Sequence, residues 1–292
     1  MTPPTQIADA TYAEDILVGG EGISRAADAM GAHRRHTVIA FVGMAFEAKI
    51  AAGPGVLVLT RHSRRELSMA AQHAAHLGCR GIISFGVAGG LAANLRPGDW
   101  VVASAIVESN TTRSTDAVWS GKLCDAIKGA TFAPIMGVDA PVAESGHKRA
   151  LHRTTGAAAV DMESHVVAKV AAEHGLAFAA LRVIVDPADR TIPPAALLGM
   201  GSGIRADAAA VLREVIARPA QLSGLLRVSL DAYVARSEML RVRQLLGPHF
   251  GLGDSSRAES AQPAFGVADL AVPDLAISDL SPSGVAAYRS PA

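Results

Sequence analysis

Residues Ala157–Arg190 read AAAVDMESHVVAKVAAEHGLAFAALRVIVDPADR. A short apolar run, Ala157–Val160, leads into Asp161-Met162-Glu163-Ser164. An amphipathic segment follows to His174, Gly175 closes it, and a second apolar run, Phe178–Val185, ends at Asp186-Pro187. The order is strand, helix, strand. Gly175 suits the left-handed position just past a helix, and Ser164 with the acids before it suits a helix start. Apolar runs with few charges fit strands covered on both faces. A right-handed crossover makes the two strands parallel. Asp161, Glu163 and Asp186 are then expected together at the carboxyl-terminal edge of one sheet, where open α/β folds bind ligands.

Outward from this unit the alternation recurs. Thr37–Val42, Val56–Thr60, Gly81–Phe85, Trp100–Val107 and Ala133–Val138 read as strands. Helices are expected from Ala45, over Glu66–Leu77 and over Glu144–Thr154, whereas Asn110–Ser120 is polar and loop-like. Beyond the Pro193-Pro194 loop, Arg205–Ala217 and Ala220–Leu246 have helical periodicity, the second with Leu222, Leu225, Leu226, Ser229 and Tyr233 along one side. Residues 1–36 read as a poorly packed lead-in, 37–250 as one α/β domain, and 251–292, rich in Ser, Ala, Pro, Gly and Asp without periodicity, as a disordered tail.

Composition narrows the function. Half of the 292 residues are apolar, enough for a sizeable core. Cationic and anionic residues are equal in number and only 4% of residues are aromatic, so neither a basic surface nor base-stacking platforms for nucleic acid are expected. Cys79 and Cys124 lie in no metal-ligand spacing and read as reduced thiols. The amino terminus lacks a secretory pattern, and no apolar run approaches the roughly 18 residues of a membrane span. A cytoplasmic protein with no metal or organic cofactor is expected.

The segment Gly86-Val87-Ala88-Gly89-Gly90 follows a strand and lets backbone N–H groups approach a ligand closely. It is not a dinucleotide fingerprint: the spacing departs from GxGxxG, and Pro97-Gly98 and a strand arrive where a helix should begin. No Gly-Lys-Ser/Thr closes a P-loop, and Gly199-Met200-Gly201-Ser202-Gly203 puts glycine where a nucleophile elbow needs serine. A loop lining a site, or a tight turn between strands, are the readings left.

Phe85-Gly86-Val87-Ala88-Gly89-Gly90-Leu91 with Leu95-Arg96-Pro97-Gly98-Asp99-Trp100-Val101-Val102 resembles the GxAGGL…GDxVV signature of the nucleoside phosphorylase and methylthioadenosine/S-adenosylhomocysteine nucleosidase superfamily. Val160-Asp161-Met162-Glu163 resembles its V-E-M-E element, and Arg182–Asp189 its R-x-I-S-D-x-A-D element. Within the superfamily, SFGVAGGL, VDMESHVVAKVAAEHGL and LRVIVDPADRTIPPAAL are similar to the hopanoid-associated phosphorylases, which release adenine from adenosylhopane. The resemblance implies a three-layer α/β sandwich with a central mixed, mostly parallel sheet, a homo-oligomer, and cleavage of an N-glycosidic bond.

It also implies roles. Asp186 matches the general acid that protonates N7 of adenine, and a donor carboxyl is kept protonated near neutral pH by burial. Glu163 matches the carboxylate that accepts hydrogen bonds from the ribose 2′- and 3′-hydroxyls, and Met162 the residue against the sugar face. Val142 corresponds to the residue whose backbone reads the purine edge, Pro141 to the one on the base plane, and Gly86, Val87, Ala88 and Gly89 to the glycine segment along the nucleoside. Glu47 corresponds to the water-activating glutamate, one residue out of register with Gly43. Asp161 reads as a first-turn helix acid.

Two departures bear on the nucleophile. Val87 stands where phosphorylases carry a phosphate-binding hydroxyl, and no GDPxR loop follows the first strand. Arg61 and Arg64 are the remaining phosphate candidates, arginine being suited to bidentate contact. Water and inorganic phosphate both stay open as co-substrate. The alternatives to a lipid-linked adenine nucleoside are methylthioadenosine, S-adenosylhomocysteine or a salvage purine nucleoside, and, from another class, a non-catalytic nucleoside-binding adapter. An apolar rim from Pro193–Leu198 and the last helix would allow transient contact with a membrane surface.

Overall fold

Alternate residues of the central strands point into two different cores. Ile39 and Phe41 of β2 (Val38–Val42), Leu57 and Leu59 of β3 (Val56–Thr60), and Ile82 of β4 (Gly81–Gly90) enter one. Val38, Ala40, Val42, Val56, Val58, Ile83 and Phe85 enter the other. Period-two alternation with both sets apolar is what a sheet covered on both faces requires. On the first face lie α2 (Arg64–Leu77) and α5 (Ser164–Glu173); on the second lie α1 (Ala45–Ala51), α3 (Ala117–Ala126) and α7 (Leu222–Leu246). The computed structural model describes residues 16–18, 37–60, 64–77, 79–200 and 222–253. These all lie in a unit ending at Gly253. The expected helix at Arg205–Ala217 and the expected disordered tail beyond Gly253 lie outside the described residues.

The sheet is mixed, as expected. Among the described residues its order is β1 (Ile16–Val18), β3, β2, β4, β8 (Ala159–Asp161), β7 (Thr131–Gly137), β5 (Trp100–Glu108), β6 (Thr111–Ser114), and β9 (Ala177–Asp186) pairs with both β4 and β5. Strands β4, β8, β7, β5 and β9 therefore form a closed ring. Across the sheet β1, β3, β2, β4, β9 and β6 run one way, and β5, β7 and β8 the other. The two directions meet antiparallel at β4–β8, β5–β9 and β5–β6.

That arrangement corrects three expectations. β8 and β9 are not parallel, because β8 joins the ring antiparallel to β4 while β9 runs parallel to it. The glycine segment is no loop: β4 continues through Gly90, paired to β9 as far as Gly89 opposite Asp186, with a bulge at Ala88/Gly89. Asn110–Ser120 contains strand β6 and the start of α3, whose N-cap Asp116 accepts a hydrogen bond from Trp119 N at 2.7 Å. Within the lead-in, Ile16–Val18 adds an edge strand to β3. On α7, burial falls on Ala235, Met239, Val242 and Leu246, whereas Leu222, Leu226 and Tyr233 of the expected apolar side are exposed. Packing of the second half, not the first, holds this helix to the sheet.

Helix α5 is placed by contact with the end of β7. A side-chain carbon on Gly137 would collide with Cβ of buried His165, so only glycine lets the strand end and the helix come this close. Gly137→Ala is expected to cost about 1–3 kcal/mol in urea unfolding, the usual range for overpacking. It should also lower kcat/KM, because α5 begins immediately after Glu163; full stability with full activity would contradict this placement.

Candidate active site

Strand β4 is the floor of the site. Its Gly86 lies beside β2's end and α1: a Cβ there would come within 2.5 Å of Glu47 Oε1 and 2.7 Å of Arg182 Nη1. Gly89 lies beside β9's end, where a Cβ would be 3.3 and 3.4 Å from the two carboxyl oxygens of Asp186. Glycine at both positions admits polar groups that a side chain would displace. Gly43, just past β2, does the same for Glu163, whose Oε1 would lie 2.8 Å from an added Cβ, with Glu47 Oε2 at 3.6 Å. Glu47 and Glu163 are thus neighbours, although one begins α1 and the other precedes α5.

Each acid is held differently. Glu47 is 1% exposed. Its Oε2 accepts N–H bonds from Gly43 and Met44, both 2.8 Å, and its Oε1 accepts from Val87 N at 2.8 Å. The Met44 contact is a glutamate in the first helical turn reaching back to its own N-cap. Burial raises the Glu47 pKa, with Arg182 and the three N–H groups opposing. Glu163 keeps 24% of its side chain exposed. Burial pushes its pKa up to about 7, Arg182 pulling down and Asp161 and Glu47 adding to the rise.

Arg182, in the middle of β9 and 1% exposed, ties the acids together. Its Nη2 donates to Ser84 Oγ at 2.6 Å and to Ser164 Oγ at 3.2 Å, and lies 3.3 Å from Glu163 Oε2. Its Nε makes an ion pair with Asp161 Oδ2 at 2.6 Å, off the line of the N–H. Burial works against the arginine charge, but Asp161, Glu163 and Glu47 more than offset it. Asp161 also accepts from Ser164 N at 3.0 Å and from the Ser164 hydroxyl, so it both caps α5 and anchors Arg182.

Asp186 ends β9. Its carboxyl meets the ammonium of Lys148, which is fully buried on α4 (Ser145–Thr155). Burial pushes the Asp186 pKa up to about 6 against the pull of Lys148, and Asp231 of α7 adds to the rise. A buried carboxyl titrating near neutrality can hold or release a proton in the working range.

The other expected residues divide. Met162 is 40% exposed and open to contact. Val142 is buried with Leu91 and Val160, Pro141 is exposed, and Ile192 N bonds Ala143 O at 3.1 Å, drawing this segment to the chain that follows Asp186. Val87 is half-buried and meets Glu47 through its backbone. Ala88 turns its methyl into the core. Arg64 is not brought to the acids: its guanidinium is engaged by Asp139 at 2.5 Å and Glu108 at 2.8 Å. Arg61 lies outside the described residues. Among the described residues no group of three His, Cys, Asp or Glu side chains is arranged to hold a metal, and no helix is long and apolar enough to cross a membrane.

The sequence assigns no role to Lys148 or Ser84, marks Ser164 only as the helix start it proves to be, and marks Arg182 only as part of a motif. The signal for Arg182 was its place in an otherwise apolar strand, since a buried guanidinium requires acids around it. Lys148 gave none, flanked as it is by His147 and Arg149, which are exposed.

Comparison with known proteins agrees with this architecture. The profile of the Phosphorylase superfamily matches residues 46–222. No protein of curated function matches the sequence. The fold is similar to that of the Helicobacter pylori 5′-methylthioadenosine/S-adenosylhomocysteine nucleosidase complexed with a substituted pyrrolidin-3-ol (16% identity, TM-score 0.51, covering 72% of this chain and 99% of that one). It is similar too to the corresponding S. pneumoniae nucleosidase with a transition-state inhibitor (15%, TM-score 0.50, 72% and 98%). Futalosine hydrolase of Helicobacter pylori matches at 18% identity and TM-score 0.48, over 53% of this chain and 89% of that one.

Arg182→Met would leave Asp161, Glu47 and Glu163 without their shared cation. Truncating one side of a buried ion-pair network costs about 3–5 kcal/mol. Both glutamates already have pKa values raised above their ordinary range, and would go higher. A carboxyl whose folded pKa exceeds its unfolded one loses stability as pH rises between the two. Chemical unfolding should therefore show a larger deficit near pH 8 than near pH 5; a deficit independent of pH would contradict the assignment.

Proposed function

Since the chain belongs to the Phosphorylase superfamily and is a glycosyl-bond-cleaving enzyme, we propose that it cleaves the N-glycosidic bond of an adenine nucleoside with water, releasing adenine, and that the nucleoside is adenosylhopane. The observation that carries the reaction is the convergence of Glu47, Glu163 and Asp186 on the glycine positions of β4 and the end of β2. Family membership sets the non-catalytic adapter aside.

In this reading Asp186 gives its proton to N7 of the purine as the C1′–N9 bond breaks. Glu163 accepts the ribose hydroxyls, and Met162 lies against the sugar. Val142 and Pro141 meet the base, with Gly86, Val87 and Gly89 along the nucleoside. Glu47 takes a proton from the water that adds to C1′. Three carboxylates, Glu47, Asp161 and Glu163, share the single charge of Arg182. Ionised, the cluster carries excess negative charge beside the sugar, and fixed charge aimed at a developing oxocarbenium ion lowers the barrier.

Water is preferred over phosphate because Arg64 is already bound by two acids and Val87 offers no hydroxyl. The lipid-linked substrate is supported by the motif wording. The chain that follows Asp186 lies against α7, where Pro193 packs on Gly224 and Arg190 pairs with Asp231, on the side of the helix away from exposed Leu222, Leu226, Leu230 and Tyr233.

The purified full-length protein should release adenine from adenosylhopane faster than from methylthioadenosine or S-adenosylhomocysteine, with no dependence on added phosphate, as read by chromatography of the base. Preference for methylthioadenosine would replace the substrate, and a phosphorylated sugar product would replace water. Asp186→Asn should lower kcat by about 10²–10⁴, the usual worth of a general acid. The acid must be protonated and the sugar carboxylate ionised, so kcat/KM should be bell-shaped with limbs near the values of about 6 and about 7 for Asp186 and Glu163. A flat profile from pH 5 to 9 would contradict both roles.

A further inference from the structure

Lys148 is a fully buried amine on a helix whose flanking residues, His147 and Arg149, face solvent. Its Nζ contacts Asp186 Oδ2 and donates to the carbonyls of Pro187 at 3.1 Å and Arg190 at 3.0 Å. An ammonium has three hydrogens, and these three partners use them all. Lys148 thus binds one oxygen of the Asp186 carboxyl and fastens the chain on either side of Pro187–Arg190, leaving Oδ1 as the oxygen without a lysine contact. The other charged groups facing Asp186 come from the last helix and the loop: Asp231, itself paired with Arg190.

We propose that Lys148 is a positioning residue for the reaction: it holds Asp186 Oδ2, directs Oδ1 to the purine, and stabilises the carboxylate that forms as the proton leaves. The inference rests on the reading of Asp186 as the acid. The proton passes from Asp186 Oδ1 to N7, C1′–N9 breaks with its electron pair going to the purine, and water adds to C1′ while Glu47 takes its proton. Lys148 takes no part in the proton transfer. Its attraction to Asp186 is weak while the carboxyl is neutral and full once the proton has gone. The contact is therefore stronger in the transition state than in the ground state, and such contacts act on kcat more than on KM. A lysine serving only to fasten the loop would have no such dependence on the charge of Asp186.

The test is Lys148→Met and Lys148→Gln, the second keeping a donor for the loop carbonyls while removing the charge, so that one reads out if the other does not fold. An opposite charge in contact typically lowers a carboxyl pKa by about 1–3 units. Both variants should therefore raise the Asp186 pKa by an amount of that order, seen directly by carboxyl-carbon NMR titration. The kcat/KM optimum should move to higher pH, and kcat should fall with KM little changed. A folded variant whose Asp186 pKa and pH optimum stay where they are, whatever its rate, overturns the proposal. Asp186→Asn measured alongside separates the two failures. Full activity there removes the acid itself, whereas loss of activity there with an unmoved optimum in the lysine variants removes only the role of Lys148.

Discussion

An arginine cannot lose its charge inside a protein, and that constraint organises this structure. Arg182 sits in the middle of β9 with almost no exposure, so the fold has to bring anionic partners to it from other elements. Asp161 comes from the end of β8 and Glu163 from the approach to α5, while the neutral hydroxyl of Ser84, on β4, accepts a further N–H. β8 and β9 run in opposite directions, and the ion pair is what joins their facing parts. Once Asp161 is committed to Arg182 and to the N-terminus of α5, the carboxyl of Glu163, two residues on, is left over the floor of β4.

The second requirement is room. Glu47 and Arg182 both approach Gly86 closely enough that any side chain there would displace them, and Asp186 rests on Gly89 in the same strand. β4 is bounded by β8 along one edge and β9 along the other over this stretch. Groups from four separate parts of the chain therefore reach one small region without a long loop. These glycines let the strand backbone approach the acids and the arginine closely.

The sequence makes much of this legible, for identifiable reasons. Continuous apolar runs give β2, β3 and β9 within a few residues, because burial on both faces writes a strong pattern. Gly175, with φ of 63°, ends the segment after α5 as its identity suggests. What stays hidden is pairing. Nothing local distinguishes a β8 that lies antiparallel to β4 from the parallel partner a crossover suggests, since direction is set by the closure of five strands on one another. Glycines that punctuate a loop and glycines that continue a strand look alike in a single sequence, and the partner residues on β9 decide between them. Lys148 is hidden for a related reason: its place comes from where α4 packs, and its neighbours in sequence, His147 and Arg149, are ordinary surface residues.

Burial pushes both Glu163 and Asp186 toward neutrality, yet the proposed reaction needs them in opposite states. Burial raises both pKa values, against the pull of Arg182 at Glu163 and of Lys148 at Asp186, so the free site does not by itself fix which carboxyl holds the proton. Their partners differ: Asp186 has a lysine to itself, whereas Glu163 shares one arginine with two other acids. A bound nucleoside sorts the two. Ribose hydroxyls donate to Glu163 and favour its anion, and N7 accepts from Asp186 and favours its acid. Each protonation state is then set by the ligand group that meets it. On this reading the substrate completes the acid–base assignment that the protein leaves balanced, and a nucleoside lacking either the 2′,3′-hydroxyls or N7 fails at the protonation state as well as at contact.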